Sequence, residues 1–352
     1  MKKKTFAVLI ALLTFIVGVA LARLSYVNSH EPPPGPIQKE FQANNYRLTG
    51  PYQHENLTIF LIHGPNQAGS SKFIPLQEAL ERKLVVVHET SDVNELSIEN
   101  VSATEEVFVQ AGDIVKGGQQ DRVLAVDLIV PAKSGQIPIS AFCVEHGRWS
   151  QRGAEPSGVF AMSEEMVATK ELKKAMKQEV SQARVWNEVD VAQDKLSASV
   201  AAPVRSAQSR SSLQLALEND QVQASAADYV EKLSSIVEGH NDVIGFVFAI
   251  NDRLNSADVY GATWIFKPFW PRLLKTAAIE AVAERPLKVK SEPVSIASAA
   301  EFLTTGEKGA ETINEVTERT HMVKRESEKS LFFETRDMAR HGLWIHRNYL
   351  MK

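Results

Sequence analysis

Two polar clusters in the stretch from Val107 to Trp149 contain the residue types that chemistry most often uses. The first cluster lies in GDIVKGGQQDR and the second in CVEHGR. Carboxylates and an imidazole suit general acid–base catalysis, and the candidates of this kind are Asp113, Asp121, Glu145 and His146. Cations and an amide suit the binding of a phosphate or another polar group, and these candidates are Lys116, Gln120, Arg122 and Arg148. The pattern predicts a polar pocket, provided that the two clusters converge in space.

Paired glycines give the first cluster the character of an anion-binding loop. Gly117 and Gly118 let backbone N–H groups approach a ligand closely, and Lys116 and Arg122 could neutralise its charge. The spacing matches neither the phosphate loop of nucleotide hydrolases nor the dinucleotide fingerprint. The alternative is a glycine-rich turn in which Asp and Arg side chains pair and fix adjacent strands, and the sequence leaves both interpretations open.

The single cysteine, Cys143, excludes an intramolecular disulfide. In a strand from Ile139 to Glu145, Cys143 shares one face with small apolar residues, whereas His146 lies on the other face. A nucleophilic Cys–His pair requires hydrogen-bond contact, so we expect a buried, unreactive cysteine. Glu145 and His146 could join another histidine at a metal ion. However, no H-E-x-x-H spacing is present and one cysteine cannot form a thiolate cluster, so no metal site is predicted.

The N-terminus has the pattern of a secretory signal peptide. Three lysines precede a largely apolar run from Phe6 to Ala22, which ends in the A-x-A motif Ala20-Leu21-Ala22. We expect cleavage after Ala22 and export to the periplasm or cell envelope. The alternative is an uncleaved N-terminal membrane anchor, in which case this segment is the only contact with the membrane.

The charge balance argues against a nucleic-acid partner. The whole chain has a formal net charge of -4, and removing residues 1–22 takes away three lysines and no acid, which gives -7. Nucleic-acid-binding proteins usually carry a basic stripe. The partner expected from the polar clusters is a small molecule, whereas cofactors and protein partners stay undetermined.

The hydrophobic pattern predicts an α+β fold with an antiparallel, β-rich N-terminal half, sandwich or barrel-like, and packed helices. A β-hairpin through Asn251-Asp252-Arg253, followed by a helix from Trp264 to Glu284, is predicted in the C-terminal half. Ser163-Glu164-Glu165 reads as a helix start. The expected domains are the signal peptide 1–22, a proline-rich spacer 23–51, a main domain 52–284 and a C-terminal extension 285–352 that packs on it.

The chain also resembles a known bacterial family. The motifs GDIVKGGQQDRVL and FCVEHGRW, together with VWNEV, VIGFVFAIN and FWPRLLKTAAIEA, resemble the ADP-ribosylglycohydrolase- and rhodanese-phosphatase-associated domain, an uncharacterised family. The likeness covers roughly residues 52–284. It implies a link to NAD or ADP-ribose metabolism through gene association, whereas the glycohydrolase and phosphatase activities belong to the neighbouring proteins.

Two functions follow as expectations. The first is an exported protein that binds a small polar or phosphate-bearing ligand, by resemblance an ADP-ribose-type molecule, in a pocket formed by the two clusters. The second is a non-catalytic scaffold or protein-interaction module of the cell envelope, in which the same polar residues form buried ion pairs. The sequence does not decide whether the protein is an enzyme.

Overall fold

The computed structural model describes residues 39–43, 45–68, 73–90, 92–148, 160–285 and 292–352. The predicted signal peptide, most of the predicted spacer, and Trp149 lie outside the described residues. Residues 40–352 form one compact unit. None of the helices in the described ranges is both long enough and apolar enough to cross a membrane.

The N-terminal half is built mainly from short strands. In chain order the elements are β1 (Lys39–Ala43), β2 (Tyr46–His54), β3 (Leu57–His63), β4 (Phe73–Pro75), α1 (Leu76–Glu81), β5 (Val85–Glu89), β6 (Glu95–Asn100), β7 (Glu106–Val109), β8 (Asp113–Gly117), β9 (Arg122–Leu124), β10 (Leu128–Val130), β11 (Gln136–Cys143) and β12 (Phe160–Val167). Six of them form a sheet in the order β12-β8-β9-β11-β6-β5, and three form a second sheet in the order β10-β7-β4. The pairings are antiparallel apart from the parallel pair β4 and β7.

Helices and longer strands make up the C-terminal half. The elements are α2 (Lys170–Lys174), a π-helical turn (Ala175–Glu179), α3 (Gln182–Ser199), α4 (Leu213–Leu217), α5 (Asp220–Leu233), a 3-10 turn (Ser234–Val237), β13 (Val243–Ile250), β14 (Arg253–Tyr260), α6 (Thr263–Glu284), α7 (Ile296–Gly306), β15 (Ala310–Glu315), β16 (Thr320–Glu326), β17 (Ser330–Asp337), a 3-10 turn (Met338–Arg340) and β18 (Leu343–Met351).

A nine-stranded sheet joins the two ends of the described chain. Its order is β1-β2-β3-β13-β14-β18-β17-β16-β15, so β18 lies between β14 and β17. The four strands within residues 310–351 therefore share a sheet with β2 and β3, which begin at Tyr46 and Leu57. The predicted α+β class is confirmed, including the β-rich N-terminal half and the hairpin-plus-helix unit of the C-terminal half.

The β13–β14 hairpin and α6 follow directly from local sequence. Asn251 and Asp252 both have positive φ, 50° and 60°, which is the conformation that a two-residue hairpin turn requires and that Asn and Asp tolerate. The helix begins at Thr263 and runs to Glu284. Its aromatic residues Phe266, Phe269 and Trp270 are buried in the core, as their spacing predicts.

One predicted helix start is wrong. Ser163-Glu164-Glu165 lies in β12, which pairs antiparallel with β8, and the helix begins only at Lys170. The N-cap of α2 is Thr169, whose side chain accepts a hydrogen bond from the backbone N–H of Leu172. Acidic residues near a serine favour a helix start locally, but pairing with a neighbouring strand overrides this weak preference.

Candidate functional site

The structure brings most of the predicted site residues into one buried cluster. Nε of Arg148 donates to Oε2 of Glu145 at 2.6 Å, and its Nη2 lies 3.4 Å from Oδ1 of Asp121. Gln120 donates through Nε2 to the carbonyl oxygen of Glu145 at 3.1 Å, and Nη1 of Arg122 donates to Oε1 of Gln120 at 3.1 Å. The second polar cluster therefore meets the C-terminal part of the first.

This cluster is connected to the turn between β8 and β9. Oδ1 of Asp121 accepts a hydrogen bond from the backbone N–H of Gly117 at 3.1 Å, and Nη1 of Arg148 donates to the carbonyl oxygen of Gly118 at 3.3 Å. Asp121, Glu145 and Arg122 are all at most 2% exposed. Buried charges of this kind are stable only when they are paired. The geometry supports a structural role for these residues, which hold the glycine turn against the end of β11.

Asp113 belongs to a different set of contacts. Its Oδ1 accepts from Nη2 of Arg272 on α6 at 3.0 Å, and its Oδ2 accepts from the backbone N–H of Gln110 at 3.0 Å. Asp113 is fully buried, and burial raises the pKa of its carboxyl although the Arg272 guanidinium acts in the opposite direction. The structure therefore places Asp113 in a link between β8 and α6.

Lys116 and His146 lie nearer the surface. Nζ of Lys116 is 3.5 Å from Oε1 of Glu218, and both side chains are about one-third exposed. The ring of His146 contacts Trp186 edge-on, with 4.4 Å between ring centroids. The hydroxyl of Ser211 donates to the carbonyl oxygen of His146. Neither side chain contacts the Asp113–Arg272 pair, so the eight predicted residues do not line a single pocket.

A second buried polar network, centred on His346 of β18, is absent from the sequence predictions. Nδ1 of His346 lies 2.8 Å from Oδ2 of Asp127, and Nε2 lies 3.1 Å from Oδ1 of Asp258. Thr335 donates to Oδ2 of Asp127 at 2.5 Å, and Nδ2 of Asn348 donates to Oδ1 of Asp258 at 2.8 Å. All five side chains are buried. A histidine between two carboxylates links three strands of the large sheet to the loop before β10.

The buried groups of this network keep their charges because they attract one another. Burial alone disfavours the imidazolium, but Asp127 and Asp258 outweigh it, so the pKa of His346 is raised. Burial raises the pKa of Asp127, but His346, the Lys177 charge and the Thr335 hydrogen bond together outweigh this, so the net pKa is lowered. Nζ of Lys173 lies 3.7 Å from Oδ2 of Asp258 and adds a second cation. The network therefore consists of ionised partners in the interior.

A cavity of about 390 Å³ opens close to this network. Its walls come from four parts of the chain, namely the residue just before β6, the β9–β11 region, the π-helical turn with the start of α3, and the β15–β16 hairpin. The residues that line it are Asn94, Ala125, Val126, Ser140, Phe142, Met176, Lys177, Val180, Gln182, Asn314 and Met322. Among the described residues of this lining Lys177 is the one that carries a charge, and amides and a hydroxyl supply the other polar groups.

Lys177 lies in the π-helical turn that interrupts the helical segment between Lys170 and Ser199. Its Nζ is 3.9 Å from the ring centroid of Phe333, and it forms no hydrogen bond or ion pair with any residue that the structure describes. Burial lowers the pKa of Lys177 to about 8, although Asp127 and Asp258 act in the opposite direction. Single π-turns inside helices occur frequently at functional sites.

The π-helical turn ends in a strained residue. Val180 has φ 49° and ψ 49°, the left-handed conformation, and its side chain is 69% exposed although it is apolar. A β-branched residue in this region is a genuine outlier, and such strain concentrates at functional sites. Val180 also lines the cavity. The strain, the irregular turn and the unpaired amine therefore occur within four residues of each other.

Comparison with protein families gives a match over almost the whole described chain. Residues 45–350 match the ARG and Rhodanese-Phosphatase-superfamily-associated Protein domain, ARPP-1. The chain belongs to the ARPP-1 family. No curated protein and no solved structure matches it.

The ARPP-1 domain includes both the predicted cluster and the cavity. Its limits, residues 45 and 350, enclose Asp121, Lys177 and His346. They also enclose β15 to β17 and nearly all of β18, so the strands that follow residue 285 belong to the ARPP-1 domain itself. The resemblance noted from motifs in residues 52–284 is confirmed and extends further in both directions.

Two features of this site carried no clear signal in the sequence. Lys177 stands in a helical stretch where a lysine is ordinary, and Leu172, Met176 and Val180 keep the regular helical spacing of four, so the apolar pattern does not mark the irregular turn. His346 occupies a strand as a single histidine, and its partners Asp127 and Asp258 are distant in sequence. A single residue with distant partners leaves no spacing pattern to detect.

Proposed function

We propose that this protein binds a small anionic molecule, with a phosphate or carboxylate group, in the cavity at Lys177. The observation that carries the proposal is Lys177 in the cavity wall, whose amine has no hydrogen bond or ion pair among the described residues. Lys177 is half-buried, so its ammonium group has lost part of its hydration without gaining a hydrogen-bonding partner, and an anionic ligand would supply that interaction.

The composition of the cavity lining supports a negatively charged ligand. Its described residues include a lysine and no aspartate or glutamate. Asn94, Ser140 and Asn314 offer neutral hydrogen-bonding groups, while Phe142 and Met322 offer apolar surface. Small-molecule pockets typically combine an apolar wall with a few polar groups in volumes of about 300–1,000 Å³. A phosphate-bearing molecule with an apolar or ring portion matches this combination.

The family resemblance narrows the first compounds to test. The expected link to NAD or ADP-ribose metabolism suggests ADP-ribose, AMP and ribose 5-phosphate, with inorganic phosphate as the minimal anion. The proposal keeps the ligand class that the sequence predicts. The proposed binding site is the Lys177 cavity rather than the buried Asp121–Glu145 cluster.

The test is a thermal-shift and calorimetric titration of the protein with these four compounds. A ligand present at 100 times its Kd stabilises the folded protein by about 2.7 kcal/mol. We expect binding by the unmodified protein and a loss of affinity of at least tenfold in Lys177→Met, which keeps an unbranched side chain of similar length beside Phe333 and removes the charge. The control is Lys232→Met, because Lys232 is 53% exposed and pairs with Glu231 on α5.

Binding that is equal in Lys177→Met and in the unmodified protein would show that the cavity is not the site. Absence of binding by all four compounds would favour a second candidate, a protein-interaction module. The observation behind that candidate is β15, an edge strand whose six residues are all exposed and which pairs on one side only within the described part of the chain. An open edge of this kind can accept a strand from a partner.

A further inference from the structure

His63, His240 and Asp242 bring two imidazoles and a carboxylate together at one point of the molecule. The three potential ligand atoms, one from each residue, all lie within 4.8 Å of one another. His63 is the last residue of β3, and Asp242 immediately precedes β13, the strand that pairs with β3 through Val243 and His63. The strand pairing therefore fixes two of these residues, and His240 comes from the connection before β13.

We propose that His63, His240 and Asp242 form a binding site for a divalent transition-metal ion. Two imidazoles and one carboxylate form a donor set that suits Zn²⁺, Fe²⁺ or Co²⁺, whereas Mg²⁺ and Ca²⁺ prefer oxygen ligands throughout. Three protein ligands leave a coordination position for water or a substrate, which is typical of catalytic rather than structural metal sites.

The contacts around the three residues resemble the supports of a metal site. His63 is 1% exposed, and its Nε2 lies 2.9 Å from Oγ1 of Thr49. In the metal-free protein Nδ1–H of His63 donates to Oδ1 of Asp242, 2.8 Å away, and Nε2 accepts from the Thr49 hydroxyl. A metal ion would replace the Nδ1 proton, and the proton of the bound imidazole would then lie on Nε2 and be donated to Oγ1 of Thr49. An outer partner on the second ring nitrogen is the usual way in which a protein orients a metal-binding histidine.

Among the described residues, Arg47 is the cation that contacts Asp242, and its other contact limits its effect. Its Nη2 donates to Oδ2 of Asp242 at 2.8 Å, so the oxygen that would bind the metal is Oδ1, which accepts from His63 in the metal-free protein. Its Nη1 donates to Oε1 of Glu40 at 3.1 Å, so a second carboxylate offsets the arginine charge. The rings of His63 and His240 meet edge-on, with 5.3 Å between their centroids.

A second group of potential ligands serves as an internal comparison. His54, Glu55 and Asp228 also lie together, but they contain one imidazole, and the carboxylate of Glu55 is occupied. Oε2 of Glu55 accepts from the hydroxyl of Tyr229 at 2.8 Å and lies 3.0 Å from Nε of Arg285. This group therefore offers one nitrogen donor where the group of His63, His240 and Asp242 offers two.

The test is titration of the untagged protein with Zn²⁺ by calorimetry and with Co²⁺ by visible absorption. We expect about one equivalent of Zn²⁺ per chain. We also expect the visible absorption bands of bound Co²⁺ to be those of a four- or five-coordinate ion. His240→Ala should lose at least 100-fold in Zn²⁺ affinity, and Thr49→Val 10–100-fold, the range for removal of an outer partner. His54→Ala should bind Zn²⁺ as the unmodified protein does.

Three results would overturn the proposal. These are less than half an equivalent of Zn²⁺ bound, unchanged affinity in His240→Ala, or a loss in His54→Ala as large as that in His240→Ala. His240 is partly exposed in a connecting segment, so we expect the Tm of the metal-free His240→Ala variant to match that of the unmodified protein. This comparison separates loss of the site from loss of the fold.

Discussion

At the scale of single residues, partners determine what a polar side chain does. Asp113 and Asp121 have the residue type of catalytic acids and bases, yet both are fully buried and bound to arginine. Lys177 has an ordinary residue type, yet its amine lines a cavity without a described polar partner. The identity of the side chain indicates possible chemistry, and its contacts decide between catalysis, binding and support.

The first prediction concerns Asp113→Asn. Asparagine can still accept the hydrogen bond from the N–H of Gln110, but Arg272 loses its carboxylate at 3.0 Å. Nε and Nη1 of Arg272 already have no hydrogen-bond partner among the described residues. Leaving a buried charge unpaired costs about 3–5 kcal/mol. Urea denaturation should show this loss in the free energy of unfolding.

The control for this prediction is Glu301→Gln, which neutralises an exposed carboxylate on α7. We expect a change within about 0.5 kcal/mol for the control. A loss below 1 kcal/mol in Asp113→Asn, with ligand binding abolished, would instead support the catalytic or binding role that the sequence suggests for Asp113.

The second prediction is a pH dependence caused by Glu280 on α6. Its Oε1 accepts from the N–H of Lys170 at 3.2 Å and its Oε2 from Nδ2 of Asn255 at 3.0 Å. Burial raises the pKa of Glu280 from 4.5 to about 7. The folded protein therefore holds this proton more tightly than the unfolded chain. The resulting stabilisation is complete below about pH 4.5 and is lost as the pH rises to about 7.

The measurement is the free energy of unfolding of the unmodified protein and of Glu280→Gln between pH 4.5 and 8. The neutral amide removes this titration, so the variant should gain on the order of 3 kcal/mol relative to the unmodified protein across that range. The raised pKa of His346 gives a dependence of the same sign in both proteins, and the difference between the two curves cancels it. Parallel curves would contradict the prediction.

At the scale of elements, the π-helical turn Ala175–Glu179 shows how a short irregularity can shape a site. The turn ends at Val180, whose backbone N–H bonds the carbonyl oxygen of Ala175, five residues before it. Ser181 then caps α3 by accepting a hydrogen bond from the N–H of Arg184. The turn therefore presents Lys177 and Val180 to the cavity between two regular helices.

The third prediction is that Val180→Gly raises stability. Glycine adopts the left-handed conformation without the strain that valine bears, and the exposed Val180 side chain contributes little packing. We expect a gain of about 1 kcal/mol in the free energy of unfolding, measured by urea denaturation. The same substitution at Val191, inside α3 and 37% exposed, should lose about that amount, because glycine weakens a regular helix. Destabilisation by both substitutions would show that Val180 is not strained.

At the scale of the whole molecule, locally encoded features were predictable and long-range ones were not. The β13–β14 hairpin, α6 and the buried Cys143 follow from turn residues and periodicity within a few positions. The position of β18 between β14 and β17 depends on pairing between segments far apart in sequence, which no local pattern specifies. The candidate site shares this property, since Asn94, Lys177 and Asn314 meet only after the sheets are assembled.

The central position of β18 has a kinetic consequence. β18 pairs locally with β17, so until this hairpin docks on β14, β14 and β18 each present an unpaired edge that the complete sheet covers. Contacts that close such long loops form slowly, and open hydrophobic edges template association with other chains. The refolding protein should therefore pass through a stage in which capture of its own strand competes with capture of a neighbour's. Yield on refolding would then fall steeply with concentration, independently of the stability of the native state.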